Sequence, residues 1–217
     1  MERRRGELLP FEIDRRDEPR GSLVERASFH QGPPAGLLVV FPGRHYGPEA
    51  PLLRGPIEAL IGEGWDVLVA SYREVSGSGG GDPILARARQ ALDRAVPRRG
   101  YRRIGLLGKS MGTPYVAELC VDEASLGPAR AVYLTPLIGS AEFEGAFVRS
   151  RQAAYLALGT ADPFYSAEAL ADLKRRRAFQ LTVIEGADHG MNVPGDPDAT
   201  EAAVARVAGE AVSFLTT

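Results

Sequence analysis

The chain is 217 residues long, 44% hydrophobic and 25% charged, and its 26 basic and 28 acidic side chains leave a formal charge of −2. This composition excludes disorder and collagen-like repetition, and so small a charge offers no field to draw in nucleic acid or anionic lipid. The outlier is 25 glycines with 16 prolines, about a fifth of the chain against a usual sum of roughly 12%, which implies many sharp turns.

At the N-terminus, Arg3 to Arg5, Arg15, Arg16 and Arg20 are interleaved with Glu2, Glu7, Glu12, Asp14, Asp17 and Glu18, a solvated mixed-charge face. No apolar segment follows that would make a secretory signal, and no run nears the roughly 18 apolar residues of a membrane span. Cys120 is the single cysteine and reads as a small buried hydrophobe. A cytoplasmic protein free of membrane and nucleic-acid partners is the expectation; oligomeric state is not legible.

Apolar runs rich in β-branched residues predict strands at 8–13, 22–30, 36–41, 65–71, 102–107, 131–135, 153–158 and 178–184. Helical patterns lie at roughly 50–63, 83–97, 111–122, 166–176 and 198–215. The first two strands flank the turn Glu18-Pro19-Arg20-Gly21, a hairpin-like start. From residue 36 strand and helix alternate, the pattern of a parallel sheet covered on both faces, and Leu37-Leu38-Val39-Val40-Phe41 lacks the alternation of a half-exposed strand. With no internal repeat and no composition break, 1–217 reads as one domain. The glycine-rich 76–81 falls just after a strand, on the edge where open α/β sheets bind ligands.

Residues 102–113 run from an apolar strand through Gly108-Lys109-Ser110 into a helical pattern. A phosphate-binding loop would need glycine at 103, which is Arg103, so several backbone amides could not wrap a phosphate there. The alternative is the nucleophile elbow G-x-S-x-G, matched by Gly108, Lys109, Ser110, Met111 and Gly112. It places a serine on a strained strand-to-helix turn that needs small neighbours two residues away on each side.

A serine hydroxyl needs a base, and the base needs an orienting acid. In this architecture they follow in the order serine, acid, histidine, and only His189 lies after Ser110; His30 and His45 precede it. Of the acidic residues between them, Asp162 stands out: it follows the strand 153–158 through Gly159-Thr160-Ala161 and precedes Pro163, on the same sheet edge as Ser110 and His189. The alternative for Asp162 is a helix N-cap for 166–176, and Asp188 is the second candidate acid. Backbone amides of Met111 and of Arg44, in the loop Phe41-Pro42-Gly43-Arg44-His45-Tyr46-Gly47, are the candidate oxyanion donors. Gly43, His45, Tyr46, Lys109 and Phe164 are candidates to line the substrate site. His45 has a plain surface role as its alternative, and Lys109 either attracts an acidic substrate or faces solvent, as does Arg73.

Taken in order, FPGRHYG, GKSMGT, LGTADPF and EGADHGM span residues 37–192. They resemble the α/β-hydrolase superfamily, and within it small members of the dienelactone-hydrolase and carboxylesterase kind. The resemblance implies a mostly parallel eight-stranded sheet with helices on both faces. It also implies Ser110, Asp162 and His189 as triad, a small-molecule acyl substrate, and neither metal nor organic cofactor. Two departures matter. Dienelactone hydrolases carry a cysteine where this chain has Ser110, and only 136–153 separates two strands where lipases insert a cap. The site is therefore expected to be open, with Leu137, Phe143, Phe147, Phe164 and Tyr165 as candidate walls or core. The expected function is cleavage of a carboxylic ester or related acyl bond, thioester and peptide included; a catalytically silent hydrolase-like binding module is the alternative. Of the 25 glycines, 11 fall at or just past predicted strand ends, which places the surplus on that same edge.

Overall fold

The computed structural model describes residues 24–29, 32–70, 100–121 and 126–217, together with positions 85, 86, 88, 89 and 92. The strand expected at 8–13, the turn at 18–21, His30, Arg73, the glycine-rich 76–81 and most of the 83–97 helix lie outside them. Seven strands are present among the described residues: β1 (Val24–Ser28), β2 (Gly36–Phe41), β3 (Trp65–Ala70), β4 (Ile104–Lys109), β5 (Ala129–Leu134), β6 (Ala153–Gly159) and β7 (Gln180–Ile184). They form one sheet in the order β1-β3-β2-β4-β5-β6-β7. The six strands from β2 to β7 are parallel, and β1 runs antiparallel along β3. The expected eighth strand is the one outside the described residues.

Among the described residues, five helices with defined bounds cover the faces. They are α1 (Pro51–Gly62), α2 (Gly112–Leu119), α3 (Ala141–Arg149), α4 (Ala167–Arg176) and α5 (Pro197–Thr216). Alternate strand side chains go to opposite faces. Leu37, Val39, Phe41, Leu106 and Tyr133 join α2, α3 and α4 in one core. Leu38, Val40, Leu107, Val132 and Leu134 join α1 and α5 in the other. Burial on both faces explains the unbroken apolar strand runs.

Two expectations about local structure change. The strand predicted at 102–107 extends to Lys109, because Gly108 and Lys109 pair with Tyr133 and Leu134 of β5. The link at 136–153 contains α3, which the sequence signals through Ser140, whose side chain accepts from the Phe143 amide, and through acidic residues in the first turn. Phe143 and Phe147, three and four positions apart from neighbours on that helix face, are fully buried and pack their rings against Tyr133. They are core, and among the described residues the short helix places no cap over the sheet edge. No helix among the described residues is long and apolar enough to cross a membrane.

Candidate active site

Strand order places the site. β2 has β3 on one side and β4 on the other, so the chain reverses direction across the sheet here, the switch point past whose C-terminal strand ends open α/β sheets bind their ligands. Ser110 leaves the end of β4 with φ +51°, a left-handed conformation that costs a residue with a Cβ about 1–3 kcal/mol. It is held there by its own amide donating to Leu134 O at 3.0 Å, and by its carbonyl, which accepts from the Thr113 amide at 2.8 Å and the Thr113 hydroxyl at 2.7 Å. The turn also requires α2 to approach β2 closely: a Cβ on Gly112 would sit 2.0 Å from the Phe41 carbonyl oxygen.

Three strand ends deliver three side chains. Ser110 Oγ lies 2.7 Å from His189 Nε2, and His189 Nδ1 lies 2.9 Å from Asp162 Oδ2. The neutral tautomer that satisfies both contacts carries its proton on Nδ1, donates it to the carboxylate, and leaves Nε2 to accept from the serine hydroxyl. The Asp162 side chain is completely buried and that of His189 partly exposed. The other carboxylate oxygen, Oδ1, accepts from the Phe164 amide at 2.9 Å. The N-cap of α4 is Ser166, which accepts from the Ala169 amide at 3.2 Å, so Asp162 is not spent on capping.

The acid and base turns are fastened to each other. The Thr160 and Ala161 amides donate to Ile184 O and Ala187 O, and the Gly186 amide donates to the Thr160 hydroxyl at 2.8 Å. A Cβ on Gly159 would lie 2.0 Å from Ala187 O, so this packing also depends on glycine. Asp188, the second candidate acid, faces away from the imidazole chemistry. Its Oδ1 accepts from the amides of Gly190 and Asn192 and from the Asn192 side chain, closing the loop that carries His189. Burial alone pushes the Asp188 carboxyl up, but the N–H groups of Asn192 and Gly190 outweigh it and its pKa falls below the ordinary carboxylate value.

The loop after β2 folds over the elbow. A Cβ on Gly43 would lie 3.4 Å from the Lys109 carbonyl oxygen, and Gly43 and Tyr46 form an antiparallel bridge. The amides of Arg44 and Met111 carry no hydrogen bond to any described residue, and Met111 is the N-cap of α2, where the helix dipole is positive. His45 is exposed with φ +57°. Phe164, 38% exposed, stands with its ring 5.2 Å from the imidazole, a wall of an open site. Tyr165 packs against the core, and the Leu137 amide is donated to Thr113 Oγ1 at 3.5 Å.

Lys109 departs from both sequence readings. It is 3% exposed and turned inward, with its amino group donating to the His189 carbonyl oxygen at 2.9 Å. Burial pulls its pKa down to about 8, against the opposing attraction of Asp162 and Asp188. Sequence pattern alone does not show this, because a lysine at a strand end reads as solvated unless the distant loops that bury it are known. Among the described residues no group of three or more His, Cys, Asp or Glu side chains is disposed to hold a metal ion.

No protein-family model matches the sequence, and neither does any curated protein. Solved structures do match in shape. An α/β serine hydrolase homologue from Coxiella burnetii superposes with a TM-score of 0.66 at 15% identity, over 88% of this chain and 90% of its own. A serine hydrolase from Xanthomonas campestris, described as lacking a lid, gives 0.61 at 16% identity, over 87% and 86%. The chain has the α/β-hydrolase fold. A dienelactone hydrolase from Anabaena variabilis shares this α/β-hydrolase fold with a TM-score of 0.63 at 16% identity, over 87% of this chain and 90% of the other.

Proposed function

We propose that the chain is a serine hydrolase that cleaves a carboxylic ester or a related acyl bond through a covalent acyl-enzyme. One observation carries the reading: an unbroken hydrogen-bonded path from the hydroxyl of a left-handed serine, through one imidazole, to a fully buried carboxylate. That the same fold serves the serine hydrolases and the dienelactone hydrolase named above supports it.

In this mechanism Ser110 Oγ attacks the substrate carbonyl carbon as its proton passes to His189 Nε2. Asp162 holds the ring by its Nδ1–H and stabilises the imidazolium that forms. The tetrahedral oxyanion takes hydrogen bonds from the Arg44 and Met111 amides, donors already in place when charge develops. Collapse breaks the bond to the leaving group, which departs with the proton from Nε2, and a water activated by the same nitrogen releases the acid. Gly43, His45, Tyr46 and Phe164 border the space where the substrate would lie.

With no cap over the sheet edge among the described residues, short acyl groups are the expected substrates. Purified protein offered p-nitrophenyl esters from acetate to octanoate, matched acyl thioesters and peptide amides is expected to turn over the short esters fastest. Failure to hydrolyse any of the three bond types above the uncatalysed rate would contradict the proposal.

A further inference from the structure

The chemistry proposed above leaves the buried ammonium of Lys109 without a task. An ammonium group taken out of water is costly, and hydrophobic side chains of similar volume generally serve a core as well or better. Lys109 is nevertheless buried beside the nucleophile, and its contacts run to two loops that reach the sheet edge from different strands.

On one side its Nζ donates to the His189 main-chain oxygen at 2.9 Å. On the other it stands 4.7 Å from the centroid of the Tyr46 ring, a cation–π contact in a desolvated setting. The Tyr46 hydroxyl in turn accepts from the Leu52 amide at 3.1 Å, in the first turn of α1. Along its stem, Lys109 Cδ lies only 3.0 Å from where a Gly43 Cβ would be. A line of contacts therefore runs from α1 through Tyr46 and Lys109 to the backbone of the histidine, anchored on the residue that precedes Ser110. The ionisable groups facing this ammonium are the carboxylates of Asp162 and Asp188, the Tyr46 phenol and the His189 imidazole.

We propose that Lys109 is a positioning residue, whose ammonium fixes the backbone of His189 and the loop after β2 at set distances from Ser110. This rests on the acyl-transfer reading of Ser110. The imidazole must reach both Ser110 Oγ and Asp162 from a loop that Asp188 and Asn192 brace from within and that the acid turn holds only upstream of the histidine, at Gly186 and Ala187. Lys109 adds a further tie from outside the loop, made to the carbonyl of the histidine itself. Displacement of a reacting group by about 1 Å costs on the order of 10²-fold in rate, so a single tie at this point has a large lever.

The test is Lys109→Met, which keeps the aliphatic stem and removes the donor and the charge. In p-nitrophenyl acetate hydrolysis kcat is expected to fall by about 10- to 100-fold with KM within twofold. The thermal midpoint is expected to hold or rise, since a buried charge has been removed. A merely structural lysine would give the reverse, a lower midpoint with kcat kept. The second readout needs no substrate: a low-field proton NMR resonance is expected for His189 Nδ1–H in the unsubstituted chain, and it is expected to shift or vanish in Lys109→Met. An unchanged resonance with kcat within twofold overturns the proposal, and so does a loss confined to KM, which would mark a substrate contact. Should Lys109→Met fail to fold, Tyr46→Leu, which removes the ring beneath the ammonium, is expected to move both readouts in the same direction, and unchanged values overturn the proposal. If the unsubstituted chain hydrolyses no acyl substrate, the functional reading fails, while the resonance still decides the role of Lys109.

Discussion

Ser110→Ala is expected to lower kcat for p-nitrophenyl acetate by about 10⁴-fold or more while the chain stays folded. The size follows from the site: among the described residues Ser110 supplies the hydroxyl hydrogen-bonded to His189 Nε2, and Cys120 is buried in the core at the C-terminal end of α2. Residual activity would come from the Arg44 and Met111 amides acting on a water-driven reaction. Stability changes little, because the lost hydroxyl contacts only a partly exposed imidazole that water reaches, whereas the bonds that hold the left-handed turn are made by the Ser110 backbone. Rate and thermal midpoint measured on the same preparation separate the two effects. A variant that retains rate shows that another group is the nucleophile; one that loses both rate and folding says nothing in favour of Ser110.

The second large effect falls on stability. Gly112→Ala and Gly159→Ala each put a methyl group 2.0 Å from a backbone carbonyl oxygen, that of Phe41 in the first case and Ala187 in the second. Backbone cannot rotate away as a side-chain tip can, so α2 must lift off β2, or the histidine loop must part from the acid turn. Each substitution is expected to cost about 4 kcal/mol or more, in the rare tail of single-residue effects. Against a total stability of about 5–15 kcal/mol, that leaves a marginal or insoluble protein. Gly209→Ala is the control: nothing lies within 4 Å of its added Cβ, and it sits in the interior of α5. There the exchange is expected to stabilise by about 0.5–1 kcal/mol. Denaturant midpoints for the three variants check the ordering.

The sequence made some of this legible and hid the rest, for reasons that differ by residue. Strands β2 to β7 were readable because burial on both faces leaves continuous apolar runs, and the single histidine after Ser110 left one choice of base. In the structure Ser110 Oγ, the His189 imidazole and the Asp162 carboxylate lie in hydrogen-bonding series. The short helix α3 is less legible although Ser140, Glu142 and the Phe143–Phe147 spacing carry its signal, because Gly145 interrupts the pattern. Asp188 and Lys109 were unreadable for a deeper reason. Their roles come from loops that are distant in sequence or folded back on themselves, and an acid next to a histidine, or a lysine next to a serine, has the same local appearance whether it is solvated or built in.

The most direct test is to treat the folded chain with a fluorophosphonate probe and map the adduct by peptide mass spectrometry. The account predicts one phosphonylated residue, Ser110, and labelling at least about 100-fold slower when His189 is replaced by alanine, since the hydroxyl is then without its base. A chain that stays unlabelled, or that is labelled elsewhere with Ser110 untouched, contradicts it.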